Sequence, residues 1–366
     1  MTTRLGRWIW LSSAVVLAMT LSACGASSEE SNREVIRKEN KSITVIDAGK
    51  AAPSKVAVAS IETVKGARGM AFLSENSIIA SRPAADLPPR KLEGEEQLYN
   101  NLYVYDLDSK TDKAIYPAEE YQGSAKLTPD KKHLVYKAQV EEDARGYILN
   151  LADAEGKPVP IGGADQAVNI GDFSVDDQQI LFTTVDGSLH TSDLNGNTET
   201  EVDSPKSPIL TAARAGGGIY YVMEENLYYK QTGESHAQKL VDGVIWVIPS
   251  PDGKQLALVR RATETTMLLT ITDLQGNEVL KLNAATQIYG TSWSPDGSKL
   301  VYNVISEQAG DKGVYMADTA SGEVTPITID LQYASDPISW SPSGNKLVTS
   351  TSINNEFVTY VITLKD

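Results

Sequence analysis

Cysteine and histidine are scarce in this sequence, which has one cysteine and three histidines among 366 residues. Because one cysteine cannot form an intrachain disulfide, the fold must be held together by its hydrophobic core, and the chain is long enough to build one. His133, His190 and His236 lie in three separate stretches, so they could bind a metal together only if the fold brought all three to one place. The sequence therefore predicts no metal site, and no cofactor is indicated.

Recognisable catalytic motifs are also missing. The G-x-S-x-G pattern around a serine nucleophile does not occur, which argues against a serine hydrolase. The acidic stretch Asp106–Asp112 resembles the start of a calcium loop but lacks the glycine and the closing glutamate of that motif. Three groups of adjacent carboxylates could in principle do acid–base work, but each lies at a predicted turn or strand end, where solvated acid groups are common: Glu141 to Asp143, Asp176 with Asp177, and Glu224 with Glu225. We predict no catalytic residues and a protein that is not an enzyme.

Basic residues are too few to balance the acidic ones. The chain has 33 Lys and Arg against 48 Asp and Glu, which gives a net charge of −15. Such a charge repels the phosphates of nucleic acids and of anionic lipid headgroups, so neither is expected as an electrostatic partner. An acidic balance is ordinary for a soluble exported domain and identifies no partner by itself.

The hydrophobic run at the N-terminus, Trp8 to Leu21, follows Arg4 and Arg7 and is short for a membrane span. A positively charged start followed by a short apolar region is typical of a secretory signal peptide. The run ends in Leu-Ser-Ala-Cys-Gly, which resembles the bacterial lipobox, and this resemblance implies that Cys24 is lipidated after cleavage. The alternative is an ordinary signal peptide followed by an incidental cysteine.

These features predict three segments: a lipoprotein signal peptide over residues 1–23, a flexible tether over 24–41 and a folded domain over 42–366. The tether is predicted because Gly25 to Lys41 is small, polar and charged and has too little apolar surface to fold. Acyl chains on Cys24 would hold the domain at the cell membrane, on its extracytoplasmic side, since each buried methylene contributes about 0.8 kcal/mol.

A repeated strand–turn–strand pattern dominates the rest of the chain. Its clearest copy, Ser292 to Asn303 (SWSPDGSKLVYN), places a Pro-Asp-Gly turn between two apolar runs. Copies recur at spacings of roughly 37 to 54 residues, which suits four-stranded propeller blades, and most are followed by a second strand pair. The seven copies begin at Met70, Ala125, Gly171, Ile209, Val247, Thr291 and Ile338. The pattern predicts an all-β fold, a seven-bladed β-propeller of four-stranded blades.

These copies resemble the WD40-like repeat of TolB-like β-propellers, W-S-P-D-G-x-x-[IL]-x-[FY]. Residues 292–302 match it nearly throughout, 338–348 and 247–258 match well, and the copies at Met70 and Ile209 are degenerate. The resemblance covers almost the whole chain after the signal peptide, and it implies the propeller fold. It implies function only broadly, since the family includes periplasmic scaffolds and the propellers of prolyl-oligopeptidase-like enzymes.

The last repeat supplies only three strands, near Ile338, Lys346–Thr351 and Phe357–Leu364. Without a fourth strand one edge of this blade would stay open. Lys55 to Val64 lies just before the first inner strand, where an outer strand belongs, so we predict that it completes the last blade and closes the ring. Ser42 to Asp47 is either a further strand or part of the tether.

In an up-and-down blade with strands A to D, the A–B and C–D turns lie on one face and the B–C and D–A connections on the other. The long insertions are all B–C connections, and the longest is Arg82 to Leu98. Loops of variable length on a rigid scaffold favour a recognition surface, although solvent loops without function would show the same pattern. Because Arg is favoured at interfaces, the candidate interaction residues are mainly arginines: Arg82, Arg90, Lys91, Arg145, Arg260 and Arg261.

The sequence therefore predicts a monomeric, non-catalytic scaffold that binds an envelope protein or a cell-wall component through this face. The alternative is a propeller enzyme or small-ligand binder, lyase-like, lactonase-like or glycan-binding, that uses the central channel. A convergent cluster of His, Asp, Glu or Arg in the channel would favour the alternative. The inner-strand segments are mostly small and apolar, which favours the scaffold.

Overall fold

A computed structural model describes residues 33–38, 41–46, 56–92, 94–140, 143–153, 156–163, 166–168, 173–204, 207–306, 312–328 and 338–365. These residues form strands, bridges and turns, and none of them is helical. This part of the chain accordingly contains no helix long and apolar enough to cross a membrane. The predicted signal peptide (1–23), Cys24 and most of the predicted tether (24–41) lie outside it.

The strands are numbered in chain order. The first nine are β1 (Arg33–Lys38), β2 (Lys41–Ile46), β3 (Ala57–Lys65), β4 (Arg68–Ser74), β5 (Ser77–Pro83), β6 (Arg90–Leu92), β7 (Glu95–Gln97), β8 (Asn100–Asp106) and β9 (Asp112–Ala114). The next eight are β10 (Tyr121–Leu127), β11 (His133–Val140), β12 (Asp143–Asn150), β13 (Val159–Pro160), β14 (Ser174–Val175), β15 (Gln179–Thr183), β16 (Leu189–Asp193) and β17 (Thr198–Val202).

The second half of the chain continues the same arrangement. Its first eight strands are β18 (Ile209–Ala215), β19 (Gly218–Met223), β20 (Asn226–Gln231), β21 (Gln238–Asp242), β22 (Val244–Pro249), β23 (Gln255–Thr263), β24 (Thr266–Asp273) and β25 (Glu278–Ala285). The remaining strands are β26 (Gln287–Trp293), β27 (Lys299–Ile305), β28 (Gly313–Asp318), β29 (Val324–Thr328), β30 (Ser339–Trp340), β31 (Lys346–Ile353) and β32 (Glu356–Lys365).

Seven four-stranded antiparallel sheets follow one another along the chain as blades, and the strands of each are called A to D from the channel outwards. Blade 1 is β4-β5-β8-β9, and blades 2 to 6 take the strands from β10 to β29 in consecutive groups of four. Blade 7 has the order β30-β31-β32-β3. The predicted all-β, seven-bladed propeller is confirmed.

Two hairpins lie outside the blades. β6 and β7 pair within the longest B–C loop. β1 and β2 pair in antiparallel register, from Arg33 opposite Ile46 to Lys38 opposite Lys41. Residues 33–38, which lie within the predicted tether, form β1. β2 coincides with the possible further strand predicted at Ser42 to Asp47. Both strands are rich in β-branched residues, which favour the extended backbone.

The N-terminal strand β3 closes the ring, as predicted. It pairs with β32 in antiparallel register from Ala57 opposite Lys365 to Lys65 opposite Val358. Val58 and Ile61 pack against the apolar cluster between blades 6 and 7. The last blade is therefore built from both ends of the propeller sequence, and β32 has no open edge.

The repeated Ser-Pro-Asp-Gly turn is stabilised by its own side chains. In blade 6, Asp296 Oδ1 accepts hydrogen bonds from the Ser294 hydroxyl at 2.6 Å and from the backbone N–H of Ser298 at 3.0 Å. The Ser294 hydroxyl oxygen accepts from the backbone N–H of Lys299 at 2.9 Å. Gly297 has φ +72°, a conformation in which glycine carries no Cβ penalty. Ser294, Asp296 and Gly297 thus each have a structural role within the A–B turn.

The hydrophobic core is divided among the interfaces between neighbouring blades. Ala257 and Val259 of blade 5, for example, pack with Leu300 and Tyr302 of blade 6, and all four are buried. The tryptophan of the repeat adds a polar tie: Trp293 Nε1 donates to the carbonyl of Ile248 in the preceding blade at 3.1 Å. Trp340 Nε1 does the same with the carbonyl of Ser292 at 3.2 Å.

A buried hydrogen-bond cluster forms a second closure between blade 7 and blade 1. The hydroxyl oxygen of Thr359 accepts from the backbone N–H of Gly69 at 2.7 Å, and the hydroxyl donates to the carbonyl of Ala67 at 2.7 Å. The Ser350 hydroxyl donates to the Gly69 carbonyl at 2.8 Å. A Cβ added at Gly69 would lie 2.6 Å from Thr359 Cγ2, so glycine permits this close approach.

Replacing Thr359 by valine should lower the free energy of unfolding by about 2 to 4 kcal/mol, because two buried backbone groups would lose their partners. Thr349→Val is the matched control, since the Thr349 hydroxyl is equally buried and has no hydrogen-bond partner in the described structure. That control should leave stability unchanged or raise it. Chemical denaturation of both variants measures the difference, and equal effects would contradict the assignment.

Candidate functional site: the B–C face and the central channel

The two faces of the propeller are defined by its topology. The B–C face carries the B–C loops, the D–A connections and the start of every A strand, and the A–B face carries the A–B and C–D turns. The predicted interaction residues belong to the B–C side of the molecule. The central channel runs between the two faces.

The longest B–C loop is folded back and fixed to blade 2. Its base is closed by a hydrogen bond from Ala84 N to the Tyr99 carbonyl at 2.8 Å. The guanidinium of Arg90 in β6 lies over the ring of Tyr121, 4.4 Å from its centroid. The Tyr121 hydroxyl donates to Gln97 Oε1 at 3.3 Å. The β6–β7 hairpin is therefore a formed part of the B–C face.

Arg82 and Arg261, two further predicted interaction residues, form ion pairs within the chain. Arg82 forms an ion pair with Asp112, and its guanidinium lies 5.9 Å from the ring centroid of Tyr103. Arg261 donates to both carboxylate oxygens of Glu225, at 2.8 Å from Nη2 and at 3.1 Å from Nε. A partner that used either guanidinium would have to compete with these contacts.

The structure divides the six candidates into separate groups. Arg82, Arg90 and Lys91 belong to blade 1, and Lys91 is exposed. The half-buried Arg145 lies on β12 of blade 2. Arg260 and Arg261 lie near the end of the B strand of blade 5, and other blades separate this blade from blades 1 and 2. The basic residues therefore do not form one continuous patch.

Exposed apolar side chains mark the B–C face more clearly than the arginines do. Five large apolar residues are exposed among the described residues: Leu98 at 39%, Val185 at 67%, Leu210 at 53%, Trp246 at 39% and Val279 at 58%. Leu98 and Val185 lie in B–C loops, and Leu210 and Trp246 lie near the starts of A strands. Val279 alone follows a C–D turn.

Sequence analysis missed this apolar group because its members come from four different blades. One local signal was present: Val185 stands in the polar turn Thr184 to Ser188, where an apolar side chain has nothing to pack against. Leu210 follows the fully buried Ile209 in the same strand, so alternation exposes it. That these residues share a face follows only from the strand order.

The A–B face has a different chemistry, because its carboxylates cap turns. Hydrogen bonds from the Lys132 backbone and the Thr128 side chain lower the pKa of Asp130 to about 2. Those from the Ser294 side chain and from Ser298 lower the pKa of Asp296 to about 2. These acids remain ionised and are used by the fold itself.

The central channel encloses a cavity of about 710 Å³ lined by the inner strands of all seven blades. Three cationic side chains line it: Arg68, Lys126 and Lys131. Hydroxyl groups are supplied by serine, threonine and tyrosine residues, for example Ser124, Thr211 and Tyr289. The described lining includes no Asp, Glu or His side chain.

Much of the lining is small and apolar, as the inner-strand segments predict, and the three cations stand out within it. Lys126 stands in β10 at the register position that Ser292 and Ser339 occupy in blades 6 and 7, as the strand pairings show. A lysine in a strand otherwise rich in small residues was the available signal.

The histidines lie apart from the channel lining. His133 begins β11, His190 lies on β16 and the exposed His236 lies between β20 and β21. His190 is stacked on Phe182 with ring centroids 5.4 Å apart, and burial lowers its pKa. Within the described ranges no three His, Cys, Asp or Glu residues are grouped closely enough to hold a metal ion.

Comparison with solved structures finds the same architecture in proteins of different function. An oligogalacturonate lyase in complex with manganese is 12% identical, with a TM-score of 0.64 over 91% of this chain and 96% of that chain. The β-propeller domain of Myceliophteria thermophila Cps50 (Swd1) is 9% identical, with a TM-score of 0.58 over 83% of this chain and 99% of that one. The chain is a seven-bladed β-propeller.

These likenesses show the propeller fold alone, because the identities are low. TolB from Acinetobacter baumannii is 17% identical over 71% of this chain and 65% of that chain, with a TM-score of 0.47, which is too low to support an argument. No protein-family model and no curated protein matches the sequence. The solved structures that resemble this propeller thus include both an enzyme and propellers that are not enzymes.

Proposed function

We propose that this propeller is a lipid-anchored, extracytoplasmic scaffold that binds an envelope protein or a cell-wall component through its B–C face. The observation that carries the proposal is that four of the five exposed large apolar side chains among the described residues belong to that face. Exposed apolar surface that is concentrated on one face favours a binding role for that face. Leu98, Val185 and Leu210 would form the apolar part of the contact.

Cations elsewhere on this face favour a partner with carboxylates. Lys91 is exposed beside the hairpin tip, and the half-buried Arg260 lies near the end of β23. Arginine is enriched in protein interfaces relative to the rest of the surface. The opposite face, whose acids cap its turns, offers less surface of this kind.

The anchor is supported by the sequence from Arg4 to Gly25, which ends in the lipobox-like Leu-Ser-Ala-Cys-Gly. Lipidation of Cys24 predicts that the protein sediments with membranes. Cys24→Ala should move it to the soluble fraction, because the acyl chains supply the membrane affinity. A variant that remains fully with the membranes would refute the anchor without affecting the proposed binding face.

A binding role rather than catalysis is supported by the nature of the side chains. The B–C face presents apolar groups and cations, and the described lining of the channel has no carboxylate or imidazole to transfer a proton. The rigid seven-bladed ring with one formed hairpin suits the presentation of a fixed surface.

Removing the hairpin should abolish the interaction. Residues 85–98 are replaced by a short Gly-Ser turn, while the buried Ala84 and its hydrogen-bond partner Tyr99 are kept. Cross-linking with mass spectrometry on intact membranes should show a specific partner for the wild-type protein and its loss in the variant. The matched control is Val279→Lys, on the other face. Cross-links that survive in the hairpin variant would refute this face as the binding surface.

A further inference from the structure

The cations of the central channel lie on one side of it. Arg68 is the first residue of β4 in blade 1, and Lys126 and Lys131 belong to the neighbouring blade 2. Arg68 stands at the B–C end of its strand, Lys126 near the A–B end and Lys131 in the A–B turn itself. Blades 1 and 2 therefore form a cationic wall along the length of the channel. This wall stands out in a chain whose net charge is −15.

The other side of the channel is aromatic. Trp246 of blade 5, Tyr289 and Trp293 of blade 6 and Trp340 of blade 7 line the same cavity. Trp293 and Trp340 are only 7% exposed, and their indole N–H groups donate to the neighbouring blades, so these two rings belong mainly to the blade interfaces. Trp246 is 39% exposed and, together with the half-buried Tyr289, offers most of the aromatic surface. Aromatic rings give a large contact area at little cost in side-chain entropy.

Lys131 is not required by the turn that carries it. Blades 5, 6 and 7 have glycine at the same place of the A–B turn, at Gly253, Gly297 and Gly344, with φ between +67° and +76°. Lys131 adopts φ +61°, a conformation that disfavours residues with a side chain. The backbone hydrogen bond is also shared, since Lys131 N donates to the Thr128 carbonyl at 2.8 Å as Gly297 N does to Ser294.

The ammonium group of Lys131 is placed in the channel without a carboxylate to balance it. It forms no hydrogen bond or ion pair within the described part of the chain, and burial lowers the pKa of Lys131. A cation that is partly removed from water and lacks a counter-charge is best stabilised by an anionic ligand. A binding site for an anion would explain why Lys131 has both an unfavourable backbone conformation and a partly desolvated ammonium group.

We propose that the central channel binds a small organic anion that carries a planar ring together with two or more carboxylate or phosphate groups. The anionic groups would face Arg68, Lys126 and Lys131, and the ring would lie against the aromatic wall. A volume of about 710 Å³ is suited to one such molecule. The proposal goes beyond the function proposed for the B–C face, and Trp246 is the one exposed apolar residue of that face that also lines the channel.

The test uses benzene-1,3,5-tricarboxylate as the probe, with citrate as an anion without a ring and benzamide as a neutral ring. Isothermal titration of the wild-type protein in 20 mM NaCl should give a Kd below about 1 mM for the tricarboxylate and weaker binding of both comparison compounds. Raising NaCl to 0.5 M should weaken binding, because the attraction is screened. No binding of the tricarboxylate at low salt would overturn the proposal.

Two substitutions copy residues that other blades already have at the same positions. Lys131→Gly restores the turn residue of blades 5 to 7, and Lys126→Ser copies blades 6 and 7. Each should weaken tricarboxylate binding at least about fivefold without lowering the midpoint of thermal unfolding. Lys132→Gln is the control, since that side chain is exposed and paired with Asp130 at 3.2 Å. Wild-type affinity in both channel variants, or an equal loss in the control, would overturn the proposal.

Discussion

Deleting residues 57–65 should open the ring and lower the free energy of unfolding by about 5 kcal/mol or more. Val64 and the half-buried Val58 and Ile61 would leave the core, and full burial of such a side chain contributes roughly 1.5 to 3 kcal/mol. The backbone pairing of β3 with β32 would be lost as well. Thermal unfolding followed by circular dichroism should show a much lower midpoint.

The deletion should also make the protein associate, because β32 would become an unprotected edge strand. The matched control is the Gly-Ser replacement of residues 85–98, which removes a longer segment but leaves every blade complete. That control should remain monomeric on gel filtration and unfold near the wild-type temperature. A β3 deletion that behaves like this control would contradict closure of the ring by β3.

Glu201→Gln is expected to destabilise the protein by about 3 kcal/mol, because it removes the carboxylate that two largely buried cations share and leaves Arg214 with only a 4.0 Å contact to Asp176. Glu201 contacts Lys230 Nζ at 2.9 Å and Arg214 Nη2 at 3.2 Å, and it accepts from the Thr191 hydroxyl at 2.7 Å. The side chains of all three charged residues are 21% exposed or less. Glu225→Gln is the matched control, since its pair with Arg261 is exposed and should contribute less than about 1 kcal/mol.

The effect of Glu201→Gln should depend on pH. Burial opposes ionisation of Glu201, but the hydrogen bonds from Thr191 and Lys230 and the charge of Arg214 outweigh it and lower the pKa. A carboxyl whose pKa is lower in the folded protein stabilises the fold above its unfolded value, about 4.3, and this contribution is lost as the pH falls through the folded value. Urea denaturation should show a full difference from wild type at pH 7 and a shrinking one below pH 4. A constant difference would refute this role.

The blades and the closing strand could be predicted because their signals are local. The Ser-Pro-Asp-Gly turn fixes its own geometry through Asp296 and Gly297, and apolar alternation on either side identifies the strands. Counting strands then shows that the last blade needs one more. Lys55 to Val64 was the available candidate, and β3 at Ala57–Lys65 confirms it.

The polar clusters could not be predicted because they join residues from distant parts of the sequence. Thr359 meets Gly69 across almost the whole chain, and a threonine in a β-strand is an ordinary residue. Glu201 and Arg214 are charged residues near strand ends, where solvent exposure is expected. Only the pairing registers of neighbouring blades bring such groups together and bury them.

The channel cations and the exposed apolar residues could not be predicted from the sequence for a related reason. Lys131 is one charge among several in a polar turn, and only the ring places it in the channel beside Arg68 and Lys126. Val185 and Leu210 are single apolar residues in different blades. The candidate residues of the B–C face were predicted from the general preference for arginine at interfaces. That preference takes no account of contacts within the chain, and Arg82 and Arg261 already have ion-pair partners.

Site-specific photo-cross-linking in intact cells tests the central claim most directly. A photoreactive amino acid is placed at Val185 or Leu210 on the B–C face and at Val279 on the other face, all three being exposed. The proposed scaffold predicts the same covalent adduct, to one envelope protein or cell-wall component, from Val185 and Leu210 and none from Val279. An adduct formed from Val279 but from neither B–C position would contradict the assignment of the binding face.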